Sequence, residues 1–282
     1  MAEILSFASG KGGVGKTLLA TAFGIHLARK GKKVLLIDGD MGMRNMDLAL
    51  GLEDDCFYHI LDLAEGRCLL SDVILPVQKY LDFIPASPSD TWEKIFLAAI
   101  DTVLEDVGSR YDYIVVDCPA GKGEGIHYAV NISDHVFLVV APSWASKRSA
   151  EQLLALERGE GKCSFLLNQF SDSDSAQISF KDMQESLEEE YFSGLIPYSS
   201  EADHLSHRGQ LVDYSAKGVF SQALTLFEKK ALWHREIPMS FWGKVITAAD
   251  KEKNQKGSSV GLRNKGLSWQ SGSVAYRRYR RR

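Results

Sequence analysis

Residues 10–17, GKGGVGKT, constrain the fold and the chemistry of this chain more than any other feature. They match the pattern G-x-x-x-x-G-K-[ST] between an apolar run, EILSFAS (3–9), and a helix-like segment, TLLATAFGIHLARKG (17–31). A strand, a glycine-rich loop and a helix in this order form a cradle whose backbone N–H groups converge on phosphate oxygens. The sequence therefore predicts a nucleotide site, in which Lys16 reaches the β- and γ-phosphates and Thr17 ligates Mg²⁺.

Six further apolar runs alternate with helix-like segments over the first part of the chain: KVLLID (33–38), LDFIPA (81–86), YIVVDCPA (113–120), HVFLVVAP (135–142), CSFLLNQF (163–170) and YFSGLIP (191–197). Strands that alternate with helices form parallel sheets covered on both faces. We therefore predict an α/β fold of the three-layer P-loop NTPase type, with a mainly parallel twisted sheet flanked by helices.

Acidic residues follow two of the predicted strands, at the sheet edge where open α/β folds bind their ligands. Asp117 ends the run YIVVD (113–117) and can support a metal ion. Asp38 and Asp40 end the second strand and begin the loop after it. Asp40 is the better candidate for orienting an attacking water, and Asp38 can help to hold the magnesium shell.

The composition changes near residue 234. The net charge of the chain is −4, yet residues 235–282 hold 12 lysines and arginines against 3 acidic residues. We predict a P-loop ATPase domain over 1–234, a short amphipathic helix over 235–253 and a basic, disordered tail over 254–282. An acidic body with a basic end suggests that this end contacts something anionic.

Apolar residues of the segment 237–253 fall on one helical stripe: Met239, Trp242, Val245, Ile246 and Ala249, flanked by Phe241. Such a helix can pack on the body, or it can lie on an anionic membrane surface with its lysines toward the lipid. No apolar run reaches the roughly 18 residues needed to span a bilayer. The final RRYRRR (277–282) would also suit phosphate contacts with DNA.

Four cysteines, at positions 56, 68, 118 and 163, form no C-x-x-C pair. The sequence therefore favours reduced thiols in a cytoplasmic protein over a zinc or redox site. MAEILSFASG at the start lacks the basic n-region of a secretory signal.

Four motifs together resemble one family. KGGVGKT, DGDMGMRNMDL, DCPAG and IPYSSE occur in the order and spacing of the deviant Walker A ATPases, which include MinD, ParA, the flagellar regulator FlhG and NifH-like proteins. The resemblance covers roughly residues 2 to 228 and is greatest to the MinD group. It implies ATP and Mg²⁺ as cofactors, and a homodimer that sandwiches ATP between its subunits.

The resemblance also implies roles for single residues. Lys11 would reach the phosphates of the partner subunit, Asp40 would position the hydrolytic water, Asn168 would read adenine and Pro197 would pack near the base. The implied catalytic residues are Lys11, Lys16 and Asp40, and the implied metal site comprises Thr17, Asp38 and Asp117. The implied nucleotide contacts are Gly10, Lys11, Gly12, Gly13, Val14, Gly15, Lys16, Thr17, Leu18, Asn45, Asn168 and Pro197.

Two positions depart from the family pattern. Leu18 stands where a second hydroxyl is usual, so one phosphate contact is lost. Ser149 replaces an aspartate of the dimer and partner surface, which weakens the case for a MinC- or MinE-like regulatory partner.

Several functions stay open at this stage. The first hypothesis is a MinD-type ATPase switch, cytoplasmic and peripheral on the inner face of the membrane, that acts in division-site placement. The alternatives are a ParA-type partition ATPase whose tail binds DNA non-specifically, an FlhG-like flagellar regulator, and a nucleotide-dependent scaffold without turnover. DNA as the target of the tail is the less favoured choice.

Overall fold

The structure is a computed structural model that describes residues 1–89, 97–121, 123–157, 162–187 and 191–263. All seven predicted strands form, and they lie in one eight-stranded sheet of order β3-β4-β2-β5-β1-β6-β7-β8. The strands are β1 (Glu3–Ser9), β2 (Val34–Asp38), β3 (Leu75–Gln78), β4 (Leu81–Ile84), β5 (Tyr113–Ala120), β6 (His135–Val140), β7 (Cys163–Phe170) and β8 (Phe192–Pro197). Every neighbouring pair is parallel except β3 and β4, which are antiparallel.

Helices flank this sheet, as predicted. In the described part of the chain they are α1 (Lys16–Arg29), α2 (Met46–Leu50), α3 (Ile60–Ala64), α4 (Leu70–Val73), α5 (Leu97–Gly108), α6 (Glu124–Ile132), α7 (Trp144–Glu157), α8 (Phe180–Leu187), α9 (Ser200–Ser206), α10 (Val219–Ala231) and α11 (Met239–Arg263). All five residues of β2 and all six of β8 are buried. Strands that bury both faces in this way belong to a sheet covered on both sides.

The core between α1, the sheet and α10 is aromatic. Phe23 of α1 and Phe227 of α10 have ring centroids 4.7 Å apart, and Phe137 of β6 lies 4.8 Å from Phe227. At the edge of this cluster the buried carboxylate of Glu228 accepts a hydrogen bond from His26 Nε2 at 2.9 Å. These contacts tie α1, which begins at the loop, to the sheet and to α10.

The amphipathic helix predicted over 235–253 forms, but its limits differ. Helix α11 begins at Met239 and continues to Arg263, so residues 254–263 are helical although the sequence placed them in a disordered tail. The stretch KEKNQK (251–256) favours helix and accounts for the first residues of the extension, whereas helix propensity does not account for its continuation through GSSVG (257–261). Residues 264–282 of the predicted tail lie outside the described residues, and the division into three segments stays a prediction.

The apolar stripe of α11 packs on the body. Trp242, Val245, Ile246 and Ala249 are all buried, and the Trp242 ring lies 6.0 Å from that of Phe192 in β8. A second contact pins the helix, because Asp250 accepts hydrogen bonds from Ser171 Oγ at 2.6 Å and from the backbone N–H of Ser173 at 3.1 Å. The stripe that could have faced a membrane therefore faces β8 and α10, whereas Met239 and Phe241 are exposed.

Candidate functional site

The glycine-rich loop connects β1 directly to α1. Gly13 and Gly15 have φ values of 77° and 84°, in the left-handed region that favours glycine. A Cβ added at Gly12 or Gly13 would meet no atom within 4 Å, so this part of the loop borders open space. Helix α1 begins at Lys16 with its first N–H groups next to that space, which is the arrangement that binds phosphate.

Lys16, Thr17 and Asp117 form one polar network at the start of α1. Lys16 Nζ lies 2.6 Å from Asp117 Oδ1, and the Thr17 hydroxyl donates to Asp117 Oδ2 at 2.6 Å. Asp40 adds a second carboxylate, 3.6 Å from Lys16 Nζ. Burial lowers the pKa of Lys16, but the charges of Asp117 and Asp40 outweigh burial and raise it, so the ammonium group stays charged.

Asp38 and Asp40 occupy different environments although they are two residues apart. Asp38 is buried, and its two oxygens accept the backbone N–H groups of Asp40 at 2.9 Å and of Met46 at 3.2 Å. Burial, with the charge of Asp117, raises the pKa of Asp38 to about 7. Asp38 therefore holds the loop between β2 and α2 in shape, and Asp40 projects from that loop toward Lys16. The assignment of Asp38 to a metal site stays a prediction.

Asn168, the predicted adenine contact, supports the phosphate loop from the sheet side. Its Nδ2 donates to the carbonyl of Val14 at 2.9 Å, and a Cβ at Gly15 would lie 2.4 Å from that nitrogen. The next residue, Gln169, has a φ of 61° and reaches the cavity described below. Pro197 lies at the end of β8 beside a separate depression that Ala249 of α11 also lines. The base contacts of Asn168 and Pro197 stay predictions.

A cavity of about 870 Å³ opens above the loop. Its walls include Gly12, Gly13, Gly15, Lys16, Thr17, Leu18, Asp40, Met43, Asn45, Leu48, Gln169, Ser206, His207, Arg208 and Gly209. The structure thus brings most of the predicted phosphate-side residues together. Five predicted nucleotide contacts do not line it: Gly10, Lys11, Val14, Asn168 and Pro197. Lys11 is exposed on the loop.

Sequence reasoning missed the far wall of this cavity. Gln169, His207 and Arg208 were not predicted, because no local motif marks them. Gln169 directly follows Asn168 on β7, and the other two end the segment that begins with IPYSSE. Their position at or after the carboxyl ends of parallel strands was the one signal that could have indicated them.

The donor set suits Mg²⁺ bound together with phosphate. Thr17 and Asp117 bring a hydroxyl and a carboxylate to one point, and these are the hard oxygen ligands that Mg²⁺ prefers. Within the described ranges, no group of three or more histidine, cysteine, aspartate or glutamate side chains could hold a metal ion. A magnesium ion here would take its remaining ligands from phosphate and water, as is usual for this ion.

Comparisons with known proteins agree with this geometry. A protein-family model described as an AAA domain matches residues 2–158. The septum site-determining protein MinD of Synechocystis is 36% identical over 172 residues, which are 60% of this chain and 65% of that protein. The aligned part of the chain therefore spans less than two thirds of that relative's length.

Solved structures are similar over more of the chain. A chain of the MinC:MinD cell division complex from Aquifex aeolicus has a TM-score of 0.73 and 32% identity, covering 84% of this chain and 98% of that one. MinD from Pyrococcus horikoshii, complexed with Mg-ADP, has a TM-score of 0.70 and 26% identity, covering 82% and 96% of the two chains. Among the helices that the structure describes, none is long and apolar enough to cross a bilayer.

Proposed function

Because the chain belongs to the MinD family of P-loop ATPases, we propose that it is an ATP-dependent switch in septum-site placement during cell division. In this proposal it binds Mg·ATP, dimerises around the nucleotide and hydrolyses it, and the cycle controls its association with the inner face of the cell membrane. The observation that carries the proposal is the network in which Lys16, Thr17 and Asp117 meet at the floor of the cavity.

The loop fits a nucleoside triphosphate. The open space at Gly12 and Gly13 leaves room for phosphate oxygens to approach the backbone, and Lys16 keeps the charge that would face them. The cavity also has the volume of a small-molecule site. When bound, Mg²⁺ would neutralise charge on the β- and γ-phosphates. Thr17 and Asp117 would hold it.

Asp40 is the residue best placed to position a hydrolytic water. It lines the cavity, it is partly exposed, and its backbone N–H is fixed by Asp38. Lys16 Nζ lies 3.6 Å from Asp40 Oδ2, so a positive charge stands beside this carboxylate. A charged carboxylate can accept a hydrogen bond from water and orient it for in-line attack.

Lys11 would complete the site of a second copy. It is exposed on the loop and does not line the cavity of its own subunit, which suits a side chain that acts across a dimer interface. A lysine supplied by the partner would stabilise charge at the γ-phosphate as an arginine finger does. Dimerisation would then switch hydrolysis on, and hydrolysis would end the dimer.

A regulatory protein could dock beside this interface. The Aquifex relative forms a complex with MinC. In this chain Ser149 packs against the loop, since a Cβ at Gly10 would lie 2.7 Å from the Ser149 Cβ. The missing side chain of Gly10 permits this close approach, and Ser149 lacks the charge that the family pattern offers to a partner. We therefore propose a partner that recognises this surface without that aspartate.

The dimer is tested by sizing the purified full chain by multi-angle light scattering with Mg·ATP and with Mg·ADP. We expect ATP to double the mass of the wild type and of a matched control, Lys79→Ala, which removes an exposed lysine from the far end of the sheet. Lys11→Ala should stay monomeric in ATP. A monomer in every condition, with nucleotide bound, would contradict the switch.

A phosphate-release assay under the same conditions tests the enzyme. Asp40→Ala should lower the ATPase rate by about 100-fold while ATP-induced dimerisation persists, because the residue acts on water and not on the loop. Equal, background-level rates for the wild type and Asp40→Ala would instead support a scaffold without turnover.

A further inference from the structure

A second cavity, of about 520 Å³, lies at the opposite edge of the sheet from the phosphate loop. Its floor is formed where β6, β7 and β8 begin, at His135, Cys163 and Phe192. Because these strands are parallel to β1, their first residues lie at the edge away from the loop that follows β1. The cavity therefore stays accessible when a partner covers the nucleotide edge.

The lining of this cavity is positively charged. Among the described residues that line it, Lys162, Lys230 and Arg235 supply three basic side chains, against one carboxylate, that of Glu236. His135 and His234 add two imidazoles, whose ring centroids are 6.0 Å apart, and His135 also lies 3.3 Å from Glu3. A concave site with this balance concentrates positive potential and attracts an anion.

Exposed apolar side chains lie on the chain segment that lines the cavity and on the start of α11, which follows it. Trp233, between the lining residues Ala231 and His234, is 46% exposed, and Met239 and Phe241 at the start of α11 are 40% and 49% exposed. Basic groups cover the two rings, since the Arg235 guanidinium carbon lies 5.3 Å from the Trp233 ring centroid and Lys244 Nζ lies 5.1 Å from that of Phe241. Exposed tryptophan and phenylalanine next to lysine and arginine are typical of surfaces that enter a membrane interface.

The apolar stripe of α11, which the sequence suggested as a membrane contact, packs against the protein body. Trp242, Val245, Ile246 and Ala249 are buried against the body, so the stripe of α11 cannot meet lipid while the helix is docked. Trp233, Met239 and Phe241 need no such release. The surface formed by these three side chains and the basic cavity is here named the basic-aromatic edge.

We propose that the basic-aromatic edge is an anionic-lipid site, in which the cavity receives a phosphate headgroup and Trp233, Met239 and Phe241 enter the interface. Lys230 and Arg235 pair with the headgroup phosphate. A soluble phosphate compound would use the cavity alone and would leave the three apolar side chains in water, which is why a membrane is the better occupant. The proposal rests on the membrane association proposed above and assigns it to a surface of the docked fold.

Vesicle co-sedimentation of the full chain tests this site. The vesicles consist of phosphatidylcholine alone or of phosphatidylcholine with phosphatidylglycerol. We expect the wild type to bind only the anionic vesicles, and the double variant Lys230→Gln/Arg235→Gln to bind them roughly tenfold more weakly. The control Lys79→Gln/Lys217→Gln removes the same charge from exposed positions elsewhere and should bind like the wild type.

A second measurement locates the contact. Quenching of tryptophan emission by a brominated phosphatidylglycerol should be strong in the wild type and should fall in Trp233→Phe, whose aromatic ring preserves binding. Thermal unfolding of each variant checks that it is folded. Persistent quenching in Trp233→Phe would place the lipid at another tryptophan and overturn the site.

The other outcomes separate the two proposals. Equal binding by the wild type and the Lys230/Arg235 variant, or equal loss in both double variants, overturns this site and leaves membrane association standing. If the chain binds neither kind of vesicle, both this site and membrane association are contradicted. The ATP-dependent dimer is tested separately, by the light-scattering measurement of mass. If the chain binds duplex DNA but not vesicles, the ligand of this site is nucleic acid and the lipid proposal is contradicted.

Discussion

Gly15 and Asn168 determine the shape of the phosphate loop by contact with each other. The left-handed backbone of Gly15 lets the chain turn into α1, and the missing side chain leaves space for the Asn168 amide. That amide in turn donates to the Val14 carbonyl, so the loop is held to β7 by a buried hydrogen bond. Asn168 thus has a structural role in the described fold, and its predicted contact with adenine would be additional to that role.

Replacing Gly15 with alanine tests this arrangement. The new Cβ would meet Asn168 Nδ2 at 2.4 Å on a backbone with φ of 84°, so both strain and a lost buried hydrogen bond follow. We expect Gly15→Ala to lower the free energy of unfolding by about 2–4 kcal/mol, measured by urea denaturation without nucleotide. Gly12→Ala, which meets no atom within 4 Å, should stay within about 0.5 kcal/mol of the wild type. Equal losses in the two variants would contradict the contact.

At the residue scale, the sequence motifs predicted which side chains meet at the phosphate loop. Lys16, Thr17 and Asp117 meet as expected, because a loop motif and a strand-end acid converge at one edge of a parallel sheet. The burial of Asp38 was not predicted, and the roles of Asp38 and Asp40 stay predictions. Which carboxylate turns inward depends on the backbone N–H groups of Asp40 and Met46, and spacing alone does not show those partners.

At the scale of elements, α11 shows that helical periodicity does not identify what an apolar stripe packs against. An apolar stripe on a helix buries equally well against protein or lipid, so the sequence could predict the stripe but not its partner. The edge strand β3 was missed for a related reason. Its four residues, LPVQ, are mostly half-exposed and include a proline, which gives no strong strand pattern.

Docking of α11 predicts unequal effects for two neighbouring aromatic residues. Trp242 is fully buried against β8 and α10, and we expect Trp242→Ala to lower the free energy of unfolding by about 3–5 kcal/mol in urea denaturation. Phe241→Ala removes a ring that is 49% exposed and should cost less than about 1 kcal/mol.

Trp242→Phe sharpens this comparison. The indole N–H of Trp242 has no hydrogen-bond partner among the described residues, so phenylalanine loses packing but no hydrogen bond. It should fall between the wild type and Trp242→Ala. If all three variants were as stable as the wild type, α11 would not belong to the folded body in solution.

At the scale of the whole molecule, the parallel sheet separates two kinds of chemistry. The phosphate loop, Asp40 and the cavity above the loop lie where the strands end, and the cavity of the basic-aromatic edge lies where β6, β7 and β8 begin. A dimer formed across the nucleotide edge would therefore carry two basic-aromatic edges, one per subunit. If both edges of the dimer meet one membrane, the second contact is intramolecular and strengthens membrane binding without any new contact.

This arrangement predicts that ATP controls lipid affinity through dimerisation. On vesicles containing phosphatidylglycerol, the wild type should bind about a hundredfold more tightly with Mg·ATP than with Mg·ADP, measured by titrating lipid in the co-sedimentation assay. Lys11→Ala should bind with the ADP-like affinity in both nucleotides, because it keeps one intact edge but forms no dimer. Lys230→Gln/Arg235→Gln should still dimerise in ATP and should bind weakly in both states. A dimer that forms in ATP yet binds lipid no better than the monomer would show that the two edges cannot reach one membrane together.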